Sequence, residues 1–480
     1  MSDNTPAGLS TFGTGKGLFR RLPMEQLIAP EVTPGGLRKS LTLFQLTAIG
    51  IGGIIGAGIF SLAGVVAKQY AGPAVLLSFL IAGVASAAAA FSYAEFAGLI
   101  PRAGSAYTYG YAVLGEIVGW FIGWDLLLEY TAIVAVVAIG ISGYFSYLVQ
   151  QLGLDLPAWM LGAPGTGAGH RVDLFAVILC LFIAWLLTQG IRNAARFETF
   201  VVILKVAVVL LIIGVGAFHI KAGNYTPFMP HGLGGAFTGA ATVFFAVFGY
   251  DAMSTAAEES KESQKHMPKA ILLSLAIAMV LYVLACLVLT GMVPYTNIDT
   301  ASPFSSAFAS AGMPWLGTVI AAGAIIGILT VMFTFMLGVT RVWYSMSRDG
   351  LLPAYFAKVS RKHQVPSRVT WITGIASALL AGFVDIGTAA ELTNIGILLA
   401  FTVVCIAVIV LRYRRPDLPR EFKCPWLPVV PAVGVIASVW LITYLQWQTW
   451  VRFAVWFVVG MIIYFAYSRR HSRLAQGEAH

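Results

Sequence analysis

The sequence predicts an all-α polytopic membrane protein of 12 transmembrane helices, built as a five-plus-five inverted repeat in which helices 1 and 6 are discontinuous. Three observations support this fold class. Of the 480 residues, 58% are hydrophobic and 11% are charged, whereas a soluble domain has about a quarter of its residues charged. Twelve apolar runs can be read along the chain, and the first and sixth are interrupted at matching positions. The charged residues are too few to cover the surface of a soluble protein of this length. A soluble fold is therefore excluded.

The charges and cysteines exclude further classes. The net charge is +9, but the basic residues are spread through short connectors and form no continuous face for nucleic acid. Cys180, Cys286 and Cys405 lie inside apolar runs and Cys424 lies in a basic loop, so we expect free thiols. The polar start of the chain has no signal-peptide core, and residues 1–36 are predicted to be a largely unstructured cytoplasmic tail.

The apolar runs define the predicted spans, since a helix needs about 20 residues to cross the hydrocarbon core. Six spans are predicted near residues 42–67, 74–99, 117–149, 173–190, 198–218 and 237–257. Six more are predicted near residues 270–293, 315–345, 369–385, 391–411, 427–447 and 450–468.

The distribution of basic residues orients these spans. Of the 30 Lys and Arg residues, 24 fall in the tails and connectors on the side where the chain starts, and four fall on the opposite side. The positive-inside rule then predicts both termini in the cytoplasm of a multi-pass protein of the cell (inner) membrane. The remaining two, Lys205 and Arg341, lie within spans; Arg341 is near a cytoplasmic end and can reach the interface.

Two spans contain breaks. Span one carries Gly50, Gly52, Gly53, Gly56 and Gly58 in the run GIGGIIGAGIF. Glycines permit unwound backbone, which is tolerated at this depth only where it lines a cavity or is buried in protein. The alternative is close helix packing through small residues.

The second break is predicted in span six at Phe245–Asp251, where Gly249 and an acid interrupt the apolar run. Paired interruptions of this kind are typical of inverted-repeat transporters with a site at the membrane midplane. The N–H groups that open a half-helix suit a carboxylate, and released carbonyls suit an ammonium group. An α-amino acid presents both charges on one carbon and is therefore the expected substrate.

Ionisable residues within spans are expensive and are functional candidates. Asp125 and Glu129 in span three are spaced i, i+4 and share one face that should point into the bundle, and a structural role is favoured for Asp125. Asp251 in span six either caps a helix or takes part in proton coupling. For Lys205 in span five a role in transport is favoured, and its expected partners are opened carbonyls of span one and the hydroxyl of Thr330 or Thr334 on span eight.

Several motifs in this order resemble the amino acid–polyamine–organocation superfamily, and within it the cationic amino acid transporter branch. They are the glycine run through Phe60, Gly123–Tyr130, Phe245–Asp251 with Ser254–Glu259, Ser347–Pro353 and Asn394–Phe401. The resemblance covers about residues 36–425. It implies a ten-helix transport core over 37–411, peripheral helices 11 and 12 over 412–468, and a cytoplasmic tail over 469–480.

The resemblance also implies roles for single residues. The substrate carboxylate would bind the amides of Gly56, Ala57 and Gly58. The ammonium would meet the carbonyls of Ile54, Phe245, Ala246 and Phe248, with the Phe245 ring as a gate. Lys205 would occupy the place of a sodium ion in sodium-coupled relatives, which implies proton coupling, with Glu129 contacting the substrate or coupling protons.

Two features bear on the substrate. Ala57 stands where the family often has a hydroxyl residue, so one hydrogen bond to the carboxylate is missing. Apart from Glu129, the pocket is expected to contain Phe335, Met336 and Phe248. Both cationic and small neutral amino acids therefore stay open.

The predicted function is a secondary active transporter of L-amino acids, with proton symport first and an amino acid exchanger as the alternative. No metal-spaced cluster, nucleophile–base pair or phosphate loop lies in the spans, which disfavours an enzyme, a metal or other cofactor, and an ATP-driven pump. Nothing indicates the repeated filter of a channel. The expected partners are the amino acid, protons and the lipid bilayer, and a small single-helix subunit is left open.

Overall fold

The computed structural model describes residues 17–21, 41–100, 105–189, 194–254, 257, 260–358 and 366–476, with the backbone alone for 194–198. Within these ranges the regular secondary structure is helical, apart from two isolated β-bridges that join Leu41 to Ser260 and Leu161 to Asp173. The all-α prediction is confirmed. Of the predicted N-terminal tail only residues 17–21 are described, and Gly17–Phe19 form a 3₁₀ turn.

The α-helices are numbered in chain order. In the first half they are α1 (Leu43–Ile54), α2 (Ala63–Val66), α3 (Val75–Leu99), α4 (Ser105–Val113), α5 (Glu116–Gln151), α6 (Leu174–Thr188) and α7 (Ala194–Gly216). In the second half they are α8 (Gly232–Val243), α9 (Tyr250–Ser254), α10 (Ser263–Met292), α11 (Pro303–Ser310), α12 (Pro314–Arg348), α13 (Ser367–Phe383), α14 (Ile386–Arg414), α15 (Val429–Ile442), α16 (Trp447–Ile463) and α17 (Arg469–His471).

Eight helical stretches among the described residues are long and apolar enough to cross a membrane, and the first, Leu43–Leu99, contains predicted spans one and two. Helices α6 and α15 are apolar but shorter. Helix α13 has 17 residues, fewer than the about 20 that a crossing normally needs. The helices fit a polytopic membrane protein, and the count of twelve spans stays a prediction.

Two short helices were not predicted. Helix α4 lies between predicted spans two and three, and all nine of its residues are buried. Helix α11 lies between spans seven and eight and begins at Pro303, a residue suited to the first turn because it lacks an N–H. Both are too short to register as apolar runs of membrane length.

Side chains in the sequence fix several helix starts. The Thr42 hydroxyl accepts the Gln45 N–H at 3.4 Å, and the Gln45 side chain accepts the Thr42 N–H at 3.0 Å, which forms a capping box before α1. Asp173 accepts the Ala176 N–H at 3.0 Å before α6. Asp385 accepts the Thr388 N–H at 2.9 Å before α14.

The packing places the two interrupted regions at the centre. Helix α1 packs against α9 and α10, and α5 packs against α12 and α14. Helix α16 lies at the edge, since only 22% of its apolar window is buried, against 72% for α5. The buried interior therefore lies among α1, α5, α9, α12 and α14.

Candidate functional site

The first break separates α1 from the helix that follows it. Ile55 adopts an extended conformation (φ −74°, ψ 105°), and helical structure resumes as a π-helical turn over Gly58–Leu62. Only Ile55 and Gly56 leave the helical state, so Gly50, Gly52 and Gly53 stay within α1. The first N–H groups of the resumed helix have no partner within it.

The second break follows α8. A 3₁₀ turn over Phe244–Val247 leads into extended Phe248 (φ −104°, ψ 163°). Gly249 then has φ +132°, a conformation that other residues rarely adopt. Helix α9 starts directly afterwards, so the backbone is non-helical at the position that the sequence predicted.

The two breaks touch through their glycines. A Cβ atom on Gly249 would lie 2.5 Å from the Gly53 carbonyl carbon, and one on Gly58 would lie 2.2 Å from the Ala246 Cβ. Any side chain at these positions would push the two segments apart. The sequence left open whether the glycines break the helix or allow close packing; they do both, with Gly56 at the break and Gly53 and Gly58 at the contact.

Tyr282 on α10 joins the two breaks. Its hydroxyl lies 2.6 Å from the Ile54 carbonyl and 2.9 Å from the Ala246 carbonyl. These are two of the four carbonyls expected to meet an ammonium group. No sequence pattern marks Tyr282, because a single tyrosine in an apolar span has no characteristic spacing.

Lys205 on α7 is fully buried. Its Nζ donates to the carbonyl oxygens of Gly52 at 2.6 Å and Ile55 at 3.0 Å, on either side of the end of α1. On α12 it reaches the Gly327 carbonyl at 3.3 Å and the Thr330 hydroxyl at 3.2 Å. The lysine therefore joins the first break to α12, and oxygens surround it much as they would a bound metal cation.

Three acids within the helices are buried: Asp125 and Glu129 on α5, and Asp251 on α9 just after the second break. Asp251 accepts a hydrogen bond from the Tyr130 hydroxyl. Among the described residues, the carboxylate oxygens of Asp125 and Glu129 have no hydrogen-bond partner. Buried carboxylates without partners are costly while ionised, so this cluster suits protons or a cationic group.

The apolar side of this region is aromatic. The Phe335 ring packs edge-on against Tyr130 with centroids 5.2 Å apart, and the Phe248 ring lies 6.3 Å from Phe335. Met336 is fully buried beside them on α12. Tyr130 thus links the Phe335 and Phe248 rings to Asp251.

A further buried acid was missed. Glu95 on α3 accepts from Arg412 Nε at 3.1 Å, pairs with Arg420 Nε at 3.0 Å, and accepts the Cys424 N–H at 2.8 Å. This network lies at the ends of α3 and α14 and fastens the loop before α15. Within the motif Ser254–Glu259, residues 255, 256, 258 and 259 lie outside the described residues.

Comparison with known proteins identifies the family. The family model described as amino acid permease matches residues 41–467, which include both breaks, Lys205 and the three acids. This chain belongs to the amino acid permease family. The permease is 46% identical to the methylthioribose transporter of Bacillus subtilis over 95% of this chain and 99% of the relative.

Two further relatives are similar to most of this chain. The branched-chain amino acid permease BcaP of Bacillus subtilis is 46% identical over 96% of this permease and 99% of its own length. The vacuolar cationic amino acid transporter 2 of Arabidopsis thaliana is 41% identical over 79% of this chain and 61% of its own length. The predicted superfamily is confirmed, cationic amino acid transporters are among the proteins to which this chain is similar, and the family and relatives are membrane transporters rather than enzymes.

Proposed function

We propose that this permease is a secondary active transporter that carries L-amino acids, together with protons, into the cell. The observation that carries the proposal is the contact between the two helix breaks at Gly53 and Gly249. A second contact joins Gly58, at the start of the resumed helix, to Ala246 of the second break. An α-amino acid needs an anion site and a cation site next to each other, because its two charges share one carbon.

The backbone of the breaks recognises both charges. The carboxylate binds N–H groups at the start of the resumed helix, namely those of Gly56, Ala57 and Gly58. The ammonium binds carbonyls of both breaks, namely those of Ile54, Phe245, Ala246 and Phe248. The Tyr282 hydroxyl already contacts two of these carbonyls, but each carbonyl has a second lone pair that the substrate can use. The Phe245 ring gates the site.

The side-chain pocket accommodates more than one class of amino acid. Glu129 has no hydrogen-bond partner among the described residues, so a cationic side chain gives it a counter-ion. A neutral side chain packs against Phe248, Phe335 and Met336, and Glu129 then takes a proton. Relatives whose names specify branched-chain and cationic amino acids are both similar over most of this chain, which agrees with a broad pocket.

Proton coupling rests on Lys205. As an ammonium it fastens the first break to α12 through four oxygens, and loss of its proton weakens that tie. Glu129 and Asp251 assist as further proton acceptors. The alternative is an exchanger without net proton movement, in which Lys205 stays protonated throughout the cycle.

The helix pairs support a five-plus-five inverted repeat within twelve spans. Predicted spans one and six pack against each other as α1 and α9, and spans two and seven as α3 and α10. Spans three and eight pack as α5 and α12, and spans four and nine as α6 and α13. Four of the five counterpart pairs thus pack against each other. Residues 37–411 form the transport core, residues 412–468 the peripheral helices, and both termini lie in the cytoplasm of the cell membrane.

Uptake into proteoliposomes tests the function. Purified protein is reconstituted without sodium, and uptake of labelled L-leucine, L-arginine and methylthioribose is measured with the outside acidic or at equal pH. We expect uptake of an amino acid that rises with the pH gradient, and no uptake of methylthioribose, which has neither a carboxylate nor an ammonium group. Uptake of methylthioribose without either amino acid would overturn the substrate class, and exchange that ignores the gradient would favour the exchanger.

A further inference from the structure

Asn394 on α14 is fully buried beside the second break. Its Oδ1 accepts the Phe245 N–H at 2.6 Å, and its Nδ2 donates to the Thr242 carbonyl at 2.7 Å. An N–H can only donate and a carbonyl can only accept, so these two partners fix the orientation of the amide. One side chain from α14 thus meets two backbone groups of the interrupted segment.

These two groups are the ones that the break leaves without their helical partners. In a continuous α-helix the Phe245 N–H would bond to the Ala241 carbonyl, and the Thr242 carbonyl would accept from Ala246. The segment instead turns into a 3₁₀ helix at Phe244. The Asn394 amide takes the place of both helical partners, and one of the two residues it holds, Phe245, is among those whose carbonyls are proposed to meet the substrate ammonium.

We propose that Asn394 is a positioning residue for recognition of the substrate's α-ammonium group. By holding Phe245 and Thr242 it fixes the direction of the Phe245 and Ala246 carbonyls, without touching the substrate itself. This inference rests on the proposed function, because it takes the breaks to be the amino acid site. It assigns a role to the first residue of the Asn394–Phe401 motif, to which no function was attached.

The neighbourhood on α14 is consistent with this role. One turn earlier, Glu391 accepts from the Thr449 hydroxyl of α16 at 2.7 Å. Two residues later, a Cβ on Gly396 would lie 2.6 Å from Asp125 Oδ1. Helix α14 therefore packs against neighbouring helices on both sides of Asn394, and these contacts fix the position of the Asn394 amide relative to the second break.

The same helix offers a matched control. Thr393 is also fully buried, but its hydroxyl donates to the Ala389 carbonyl within α14 at 3.2 Å. Thr393→Val removes a buried polar group beside Asn394 without touching the second break. A merely structural requirement for polar groups in α14 would affect both variants.

The test compares an amino acid with its analogue that lacks the α-amino group. Binding of L-leucine and 4-methylpentanoate, and of L-arginine and 5-guanidinopentanoate, is measured on purified wild type, Asn394→Leu, Asn394→Asp and Thr393→Val. Asn394→Leu should weaken binding of the amino acid by about tenfold or more and leave the analogue within about twofold, so that discrimination between them falls. Asn394→Asp keeps an acceptor for the Phe245 N–H and, when protonated, a donor for the Thr242 carbonyl, so at acidic pH it should lose less, and Thr393→Val should match wild type.

The inference would be overturned if Asn394→Leu lost affinity equally for the amino acid and its analogue. It would also be overturned if Asn394→Leu and Asn394→Asp discriminated between the two ligands as well as wild type does. If an analogue does not bind wild type, the test compares the Kd of Asn394→Leu for the amino acid with that of Thr393→Val, and equal values would overturn the inference. Gly58→Val separates this outcome from failure of the proposed site, because it should abolish binding of the amino acid and of the analogue alike. Normal binding by Gly58→Val would reject the proposed amino acid site. If Gly58→Val does not bind but Asn394→Leu discriminates as wild type does, only the role of Asn394 is rejected.

Discussion

Replacing Lys205 by alanine removes the cation that ties the first break to α12. Its Nζ donates to two carbonyls of the break, Gly52 at 2.6 Å and Ile55 at 3.0 Å. Hydrogen bonds to charged groups each contribute about 1.5–3 kcal/mol, so the two contacts together contribute about 3–6 kcal/mol. Moving an equilibrium from 1:99 to 99:1 takes about 5.5 kcal/mol. Under the proposed coupling, one proton on Lys205 would supply part of such a shift, and the substrate with Glu129 or Asp251 would supply the rest.

Sodium-free proteoliposomes with an acidic exterior provide the assay. Wild type should accumulate labelled amino acid above equilibrium. Lys205→Ala should lose this accumulation because the proton can no longer bias the cycle, while exchange of internal for external amino acid persists. Lys205→Met should behave in the same way with the cavity still filled. Lys68→Ala is the matched control, since Lys68 also donates to a carbonyl, that of Ile298 at 2.9 Å, but away from the breaks.

Three results would refute this reasoning. The first is normal proton-driven accumulation by Lys205→Ala. The second is sodium-driven uptake by wild type with no response to pH. The third is equal loss of accumulation in Lys68→Ala, which would show that the effect is not specific to the lysine at the first break.

Three further predictions concern the amino acid site and the loop before α15. Gly58→Val should fold and insert but give no thermal shift with amino acids, because its Cβ would lie 2.2 Å from the Ala246 Cβ and overpacking costs about 1–3 kcal/mol; a wild-type shift would contradict the site. L-Amino acids should stabilise wild type and their decarboxylated amines should not, and equal stabilisation by both would contradict carboxylate recognition by amides. Burial, and next the nearby Glu95 carboxylate, raise the pKa of Cys424 to about 11, so Cys424 should react slowly with maleimide at neutral pH. Glu95→Gln should lower that pKa and loosen the Arg412 contact, so labelling should speed up; an unchanged rate would show that Glu95 does not hold the loop.

The sequence was sufficient for the class of protein and for the segments within which its helices break. Length and hydropathy of a run decide whether lipid can solvate it, and both can be read without knowing its neighbours. The glycines of span one and Gly249 of span six marked the breaks because glycine alone tolerates both φ +132° at Gly249 and backbone-to-backbone contact at Gly53. Lys205 was recognisable because a lysine within an apolar run is too costly to lack a partner.

The partners of the predicted residues were less accessible. The sequence predicted that Lys205 would meet carbonyls of the first break and the hydroxyl of Thr330 or Thr334, and its contacts with Gly52, Ile55 and Thr330 confirm this. It placed the break across five glycines, but only Ile55 and Gly56 leave the helix. Hydrogen bonding within a helix tolerates glycine, so composition alone does not locate the unwound residues.

Tertiary structure alone decided which distant side chains complete the breaks. Tyr282 lies 228 residues from Ile54 along the chain, Asn394 lies 149 from Phe245, and Glu95 lies 317 from Arg412. A hydrogen bond depends on two groups lying within about 3 Å in the right orientation, and nothing in local composition encodes that for groups so far apart. The sequence determined a membrane-embedded bundle with two breaks and a buried lysine; the folded helices determined which hydroxyl, amide and carboxylates face them.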